Sequence, residues 1–247
     1  MRKNWQWRDA SPETTYRLLS VIIPVYNERE TLPEIIRRVQ DVDLTSFGLE
    51  KEIIVVDDGS TDGTREMLRG LAEVPGVRVF IQRRNRGKGA AVRTGLMQAA
   101  GDLLLVQDAD LEYDPRDYPT LLRPIMEGRS SVVYGSRFLG EHKAMYYWHQ
   151  VGNKLLTLVA NVLYNTTLTD VETCYKLCTR DVAHSFHLRQ DRWGFDPEIT
   201  AKILRNGYSI YEVPISYNGR VFTDGKKIRW RDSFTILYVL VRYRFFH

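Results

Sequence analysis

Short apolar runs and amphipathic stretches alternate through the first half of the chain. The β-branched run Leu18–Val25 and the apolar run Leu103–Val106 predict buried parallel strands. Two more strands are predicted over residues 52–56 and Val77–Ile81. Apolar residues at helical spacing follow each of the first three strands, so a helix is expected after each. This β-α-β-α-β-α-β order is typical of an α/β fold with an open, mostly parallel sheet and helices on both faces.

The second half continues this pattern less regularly. A further strand is predicted over residues 132–134, and a long helix of mixed polarity over residues 144–165. We divide the chain into an N-terminal extension at residues 1–17, one α/β domain at residues 18–227 and a C-terminal amphipathic helix at residues 228–247.

Composition indicates a soluble globular domain in a reducing compartment. The chain is 43% hydrophobic and 27% charged, both ordinary values, and no stretch has the apolar length of a membrane span. Its N-terminus lacks the apolar core of a signal peptide. Cys174 and Cys178 are too far apart along a strand to bridge, so we expect no disulfide. The sequence pI of about 9.0 and scattered Arg and Lys residues are the sole basis for a nucleic-acid-binding alternative, and the acidic cluster at Asp108 and Asp110 argues against it.

Three carboxylates follow the fourth predicted strand at every second position: Asp108, Asp110 and Glu112. In an extended segment such side chains point the same way. A row of carboxylates suits Mg2+ or Mn2+, and Mg2+ is usually held by one or two carboxylates together with substrate phosphates. The sequence therefore predicts a metal–diphosphate site here. An ordinary turn rich in Asp and Pro is the alternative.

Polar clusters also follow the other strands, at the sheet edge where ligands of α/β proteins bind. Asp57 and Asp58 can accept hydrogen bonds from a base or a ribose, although capping of the next helix is the alternative. Arg84, Arg86 and Lys88 supply positive charge for phosphates, and the glycines among them allow close backbone approach. A solvated basic loop is the alternative there. The spacings of the P-loop and of the dinucleotide-binding fingerprint are absent.

Five motifs occur in a fixed order along the chain: SVIIPVYNE, VVDDGSTDGT, NRGKGAAVRTG, QDADLEYDP and YGSRF. This order resembles glycosyltransferase family 2, and most closely its dolichyl-phosphate mannose synthase and polyprenyl-phosphate glycosyltransferase branch. The resemblance covers nearly the whole chain, from residue 18 to residue 230. It implies that residues 18–227 form a single Rossmann-like nucleotide-diphospho-sugar transferase domain of the GT-A type.

The same resemblance implies roles for individual residues. The nucleotide-sugar is expected to contact the following residues, with Lys88 on its phosphates: Pro24, Tyr26, Glu28, Asp57, Asp58, Lys88, Asp108, Ala109 and Asp110. The metal ligands would be Asp108, Asp110 and Glu112, although many relatives have a neutral residue where Glu112 stands. The acceptor phosphate would meet Arg137, Lys176, Arg220 and Lys227. Asp110, Arg137, Arg220 and Lys227 are the expected catalytic set.

The implied reaction is an inverting, metal-dependent transfer of a sugar from a nucleotide-diphospho-sugar to a polyprenyl phosphate. Mg2+ or Mn2+ is the expected cofactor, and the cytoplasmic face of a membrane is the expected location. Asp170, Glu172 and Asp196 keep open the alternative of a sugar hydroxyl acceptor, which needs a general base. A sugar nucleotidyltransferase is a further alternative.

The C-terminal segment carries both aromatic and basic residues. Its apolar side chains recur at helical spacing and predict one apolar face: Phe234, Leu237, Tyr238 and Val241. A basic amphipathic helix of this kind can lie in a lipid interface. Packing of that face on the domain is the alternative, and the sequence leaves both open.

Overall fold

The computed structural model describes residues 8, 14–143, 146–219 and 232–246. Within these residues the strands form one seven-stranded sheet in the order β3-β2-β1-β4-β6-β5-β7. The strands are β1 Leu18–Val25, β2 Glu50–Asp57, β3 Val77–Ile81, β4 Leu103–Val106, β5 Val132–Ser136, β6 Lys176–Thr179 and β7 Tyr211–Pro214. Of these seven described strands, only β6 runs antiparallel to its neighbours, so the predicted mostly parallel α/β sheet is confirmed.

The helices cover both faces of this sheet. Their bounds are α1 Leu32–Asp41, α2 Thr64–Leu71, α3 Lys88–Gln98, α4 Tyr118–Met126, α5 Tyr147–Tyr164, α6 Arg180–His184, α7 Phe195–Arg205 and α8 Asp232–Phe245. Short 3-10 turns occupy Thr45–Phe47 and Pro115–Asp117. The helices predicted after the first three strands are present as α1, α2 and α3.

Strand β1 lies in the middle of the parallel part of the sheet, which explains its continuous apolar character. Ile22 pairs with Ile54 of β2 on one side and with Val106 of β4 on the other. Both faces of the strand are covered, because Ile22 and Ile23 are completely buried. A strand that is buried on both faces reads as an unbroken apolar run, which is what the sequence shows.

Among the elements without a counterpart in the predictions are β6, β7 and α4. The two strands have four residues each, too few for a clear period-two pattern. Helix α4 contains Pro119 in its first turn and Pro124 inside, and proline weakens a helix prediction. All three are stabilised by contacts that are distant in sequence, such as the pairing of β7 with β5.

Helix α8 packs on the domain through a face other than the predicted one. Ile236, Val239, Leu240 and Tyr243 are buried against α5 and α7. The predicted apolar face is exposed: Phe234 66%, Leu237 39%, Tyr238 58% and Val241 39%. The helix therefore has apolar side chains on two sides, and the expectation of a single apolar face was wrong.

Candidate active site

The carboxyl ends of the parallel strands meet at one edge of the sheet, and ionisable side chains gather there. Asp57 ends β2, Asp108 follows β4 and Arg137 follows β5. Because β6 is antiparallel, its first residue, Lys176, lies at the same edge and pairs with Tyr134 of β5. The topology thus brings together charged residues from four strands, as ligand sites of open α/β sheets require.

The two aspartates after β2 hold the surrounding loops in place. Asp57 is fully buried, and it accepts hydrogen bonds from the backbone of Ser60 at 3.0 Å and from the guanidinium of Arg65 at 3.0 and 3.1 Å. Asp58 accepts from the backbone N–H groups of Arg86 at 2.8 Å and Gly87 at 2.6 Å. Both carboxylates therefore bind the protein itself, and a role as nucleoside ligands stays a prediction.

Burial raises the pKa of the Asp58 carboxyl above its ordinary value, against the effect of the two N–H donors. The loop that supplies these donors also lies close to the backbone of Asp191. Gly87 has a φ of +109°, and a Cβ there would lie 2.5 Å from the carbonyl oxygen of Asp191. This glycine lets the basic loop pass between Asp58 and Asp191 in a backbone conformation that other residues rarely adopt.

The segment after β1 lies beside the loop that follows Asp58. Pro24 and Tyr26 are half-buried, and Asn27 joins the two segments by accepting a hydrogen bond from the backbone of Thr61 at 2.8 Å. Glu28 accepts one from the hydroxyl of Thr31 at 2.8 Å. The predicted nucleoside-binding residues are thus neighbours at one end of the sheet.

Residues after β4 form a turn, so the expectation of an extended row of three carboxylates was wrong. Leu111 has a φ of +64°, which reverses the chain between Asp110 and Glu112. Asp108 forms an ion pair with Lys88 at 2.7 Å, and Ala109 is buried beneath the turn. Glu112 accepts a hydrogen bond from the hydroxyl of Tyr217 at 2.8 Å.

The Lys88–Asp108 pair is charged although both side chains are half-buried. Burial favours the neutral form of each group, but Asp108 raises the pKa of Lys88 well above its ordinary value. Lys88 in turn holds the pKa of Asp108 below its ordinary value, against the effect of burial. Helix α3 begins at Lys88, so its amino end faces this pair.

The carboxylates here fit a divalent cation that is completed by a substrate. Among the described residues, no three His, Cys, Asp or Glu side chains are arranged to hold a metal by themselves. Mg2+ characteristically uses one or two carboxylates and takes further ligands from substrate phosphates. Asp110, beside Asp108 at the sheet edge, has the oxygen chemistry that such an ion prefers.

Arg137 is buried and forms an ion pair inside the protein rather than at its surface. It is 8% exposed, and its Nε and Nη2 atoms each donate to Asp170 at 2.7 Å. Its guanidinium also lies 5.4 Å from the ring centre of Tyr217. Because Tyr217 also reaches Glu112, this tyrosine links the turn after β4 to the arginine after β5.

Lys176 forms a second buried ion pair at this edge of the sheet. Its Nζ donates to Asp196 at 2.7 Å, and the residue is 3% exposed. Asp196 and Glu198 both lie in the first turn of α7, and each of them accepts hydrogen bonds from other parts of the protein. The fully buried Glu198 accepts from the backbone of Arg189 and Gln190 and pairs with Lys202.

Two predicted acceptor-side residues, Arg220 and Lys227, lie outside the residues that the structure describes. Residues that the sequence reasoning missed are the partners of the predicted ones. Arg65 and Tyr217 belong to no motif. Arg65 contacts Asp57, 8 positions earlier in the chain, and Tyr217 contacts Glu112, 105 positions earlier. Cys174 and Cys178 are buried free thiols, as expected.

Comparison with known proteins identifies the family. The model described as Glycosyl transferase family 2 matches residues 20–186. Two curated relatives named undecaprenyl-phosphate 4-deoxy-4-formamido-L-arabinose transferase, from Pseudomonas paraeruginosa strain DSM 24068 / PA7 and Pseudomonas aeruginosa strain LESB58, are each 32% identical over 213 residues. The alignment covers 85% of this chain and 60% of each relative, so the chain spans about three-fifths of the length of these relatives.

Solved structures show the same fold. Glucosyl-3-phosphoglycerate synthase from Mycobacterium tuberculosis, in complex with Mn2+, UDP and phosphoglyceric acid, has a TM-score of 0.71 at 20% identity, covering 94% of this chain and 80% of that one. The same enzyme with Mg2+ and UDP has a TM-score of 0.69 at 21% identity, with coverages of 94% and 80%. The predicted GT-A type fold is confirmed. With a family model that spans most of its length and relatives of the polyprenyl-phosphate branch, the chain belongs to glycosyltransferase family 2.

Proposed function

We propose that this chain transfers a sugar, with inversion, from a nucleotide-diphospho-sugar to a polyprenyl phosphate. The observation that supports it most directly is that three ion pairs lie at the carboxyl edge of the sheet of a family 2 protein: Lys88–Asp108, Arg137–Asp170 and Lys176–Asp196. The names of the undecaprenyl-phosphate relatives support the lipid acceptor. The UDP complexes of the structural neighbours support a nucleotide-sugar donor.

On the donor side, the reaction develops negative charge on the departing diphosphate. Lys88 is positively charged and is held in place by Asp108, so it is ready to stabilise that charge. Asp110, with Asp108, would hold Mg2+ or Mn2+, which supplies further charge stabilisation on the diphosphate oxygens. The UDP complexes of the neighbours with Mn2+ and with Mg2+ support this choice of ion.

On the acceptor side, a phosphate needs positioning more than deprotonation. A phosphate monoester is already an anion at neutral pH, with a charge of about −1.5 to −2. Arg137 and Lys176 supply fixed positive charge near the site, and Arg220 and Lys227 are the cations expected from the sequence. A sugar hydroxyl is far less acidic and would need a general base within hydrogen-bond reach.

The test is a donor panel followed by product analysis. Nucleotide-sugars that differ in base and sugar are screened, with Mn2+, for thermal stabilisation of the protein. The best donor is then incubated with polyprenyl phosphate. Release of the nucleoside diphosphate together with formation of a glycolipid is the expected result. In a parallel incubation with a nucleoside triphosphate and a sugar 1-phosphate, release of pyrophosphate would identify a nucleotidyltransferase instead. Transfer to a free sugar but not to the lipid would exclude the lipid acceptor.

We further propose that the domain contacts a lipid surface through α5 and α8. Each helix buries one face in a shared apolar cluster, and each leaves an apolar stripe exposed on its opposite side. On α5 the stripe consists of Tyr147, Trp148, Val151, Leu155, Leu158 and Val162. On α8 it consists of Phe234, Leu237, Tyr238, Val241 and Phe245. None of the described helices is long and apolar enough to cross a membrane.

The chemistry of these stripes suits the interface of an anionic membrane. Trp148, Tyr147 and Tyr238 are aromatic residues of the kind found at headgroup level, and Lys154 and Arg242 supply positive charge on the same helices. Each basic residue near an anionic surface contributes on the order of 1 kcal/mol, and this contribution is screened by salt.

Vesicle flotation tests this contact. The wild-type protein should float with phosphatidylglycerol-containing vesicles at low salt, whereas a Leu155→Glu/Leu237→Glu variant should not. Met97→Glu is the matched control, because Met97 is 70% exposed on α3 and belongs to neither stripe. Equal flotation of the folded double variant and the control would contradict the proposed lipid contact.

A further inference from the structure

Glu172 lies between the two buried ion pairs of the acceptor side and, among the described residues, forms no ion pair of its own. Arg137 is paired with Asp170 at 2.7 Å, and Lys176 with Asp196 at 2.7 Å. With Glu172, the cluster contains three carboxylates and two cations. One oxygen of Glu172, Oε1, is buried and has no hydrogen-bond partner among the described residues.

This arrangement favours the neutral acid form of Glu172. A buried carboxylate without a hydrogen-bond donor is costly, and a proton removes the surplus negative charge. Burial and then Asp196 raise the pKa of Glu172 to about 8. Lys176 and Arg137 act in the opposite direction, and Asp170 adds to the rise. These four are the charged groups among the described residues that act most strongly on Glu172. At neutral pH the side chain is therefore a carboxylic acid, which can donate a hydrogen bond as well as accept one.

The position of Glu172 places it beside the proposed reaction. It lies in the segment that enters β6 at the carboxyl edge of the sheet, two residues from Cys174, whose thiol lies 3.8 Å from the carbonyl oxygen of Val106. The turn that follows Val106 contains Asp108. Glu172 itself is only partly buried, so a ligand at this edge can reach it.

We propose that Glu172 binds the acceptor phosphate as a neutral carboxylic acid, its O–H donating to a phosphate oxygen. The inference rests on the proposed transfer to a polyprenyl phosphate and adds a residue to it. An ionised carboxylate at this place would repel the phosphate. A neutral acid adds a donor to an anion site without adding a charge that the buried cluster would have to balance.

The two classes of acceptor require opposite protonation states of this residue. For a phosphate acceptor, binding weakens as the pH rises through the titration of Glu172. For a sugar hydroxyl, Glu172 would act as the general base, and the rate would rise over the same range. The direction of the pH dependence therefore distinguishes the two.

The experiment measures the binding of farnesyl phosphate by calorimetry, and kcat/KM for transfer to it, between pH 6 and pH 10. The variants are Glu172→Gln and Glu172→Ala, and the control is Glu127→Gln at an exposed residue that caps the end of α4. The neutral glutamine keeps an N–H donor, so Glu172→Gln should bind within about threefold of wild type at pH 7 and lose the alkaline decline near pH 8. Glu172→Ala should bind about 10-fold more weakly, with kcat nearly unchanged.

Other results overturn the inference in distinct ways. If wild type transfers the sugar to farnesyl phosphate while both Glu172 variants bind it as wild type does, the inference fails and the proposed function stands. If Glu172→Gln is inactive and the wild-type rate rises through pH 8, the residue is a general base. If wild type transfers to no polyprenyl phosphate at any pH, the proposed function fails and the inference fails with it.

Discussion

Replacing Asp170 by asparagine should destabilise the protein strongly, because it leaves the buried charge of Arg137 unbalanced. Asp170 is completely buried and accepts three hydrogen bonds from Arg137: from Nε and Nη2 at 2.7 Å each and from the backbone N–H at 3.1 Å. Asparagine has nearly the same shape, but it has no charge and only one acceptor oxygen. Breaking a buried pair by removing one partner costs about 3–5 kcal/mol.

That energy translates into a measurable change in melting temperature. For a domain of roughly 150–250 residues, 1 kcal/mol shifts Tm by about 2–4 °C, so Asp170→Asn should lower Tm by about 6–20 °C. The control is Glu127→Gln, which removes one charge from the exposed Arg129–Glu127 pair at the surface. An exposed pair contributes at most about 1 kcal/mol, so the control should shift Tm by less than about 4 °C.

Differential scanning calorimetry at pH 7 is the assay, and a double variant separates stability from function. Adding Arg137→Gln to Asp170→Asn removes the orphaned charge and should recover part of the lost Tm, while sugar transfer stays low because Arg137 is absent. A Tm of Asp170→Asn within the range of the control would refute the reasoning, since the guanidinium would then be solvated rather than dependent on Asp170.

Three further predictions follow from the site. Asp110→Asn should abolish the Mn2+-dependent increase in donor affinity and leave Tm in the absence of metal unchanged. Titration calorimetry with Mn2+ and donor measures this affinity. An unchanged effect of Mn2+ would exclude Asp110 as a metal ligand. Gly87→Ala should lower Tm, because its Cβ would lie 2.5 Å from the Asp191 carbonyl oxygen at a φ of +109°. Gly152→Ala in α5, whose Cβ would have no atom within 4 Å, should raise stability by up to about 1 kcal/mol. A lower Tm for Gly152→Ala than for Gly87→Ala would contradict this. Glu172 has a folded pKa of about 8, above its unfolded value, so the stability linked to its proton is present below the unfolded pKa and is lost as the pH rises through 8. The Tm of wild type should therefore fall relative to the Tm of Glu172→Gln between pH 5 and pH 9. A constant difference between the two Tm values over this range would show that the proton on Glu172 is not linked to folding.

The sequence by itself determined the central architecture, because the relevant signals are local. Strand β1 is an eight-residue apolar run, and amphipathic stretches follow the first three strands, so the α/β sheet was predictable from periodicity. The placement of polar clusters at strand ends followed from the same reasoning, since parallel strands share one carboxyl edge. The family followed from the order of five motifs.

Only the tertiary structure decided how the charged residues are paired. Arg137 and Lys176 were predicted as phosphate ligands, but their partners Asp170 and Asp196 are 33 and 20 positions away, and no local pattern links them. The turn at Leu111 replaced the expected extended row of carboxylates, because pairing in the sheet ends at Val106 and the chain is then free to reverse.

The C-terminal helix shows the same division. Helical spacing correctly indicated α8, but apolar residues lie on two of its sides, and spacing alone does not say which side is covered. Contacts with α5 and α7 bury Ile236, Val239 and Leu240 and leave Phe234 and Leu237 exposed. Burial depends on which elements meet in space, and that information arises only when distant parts of the chain pack together.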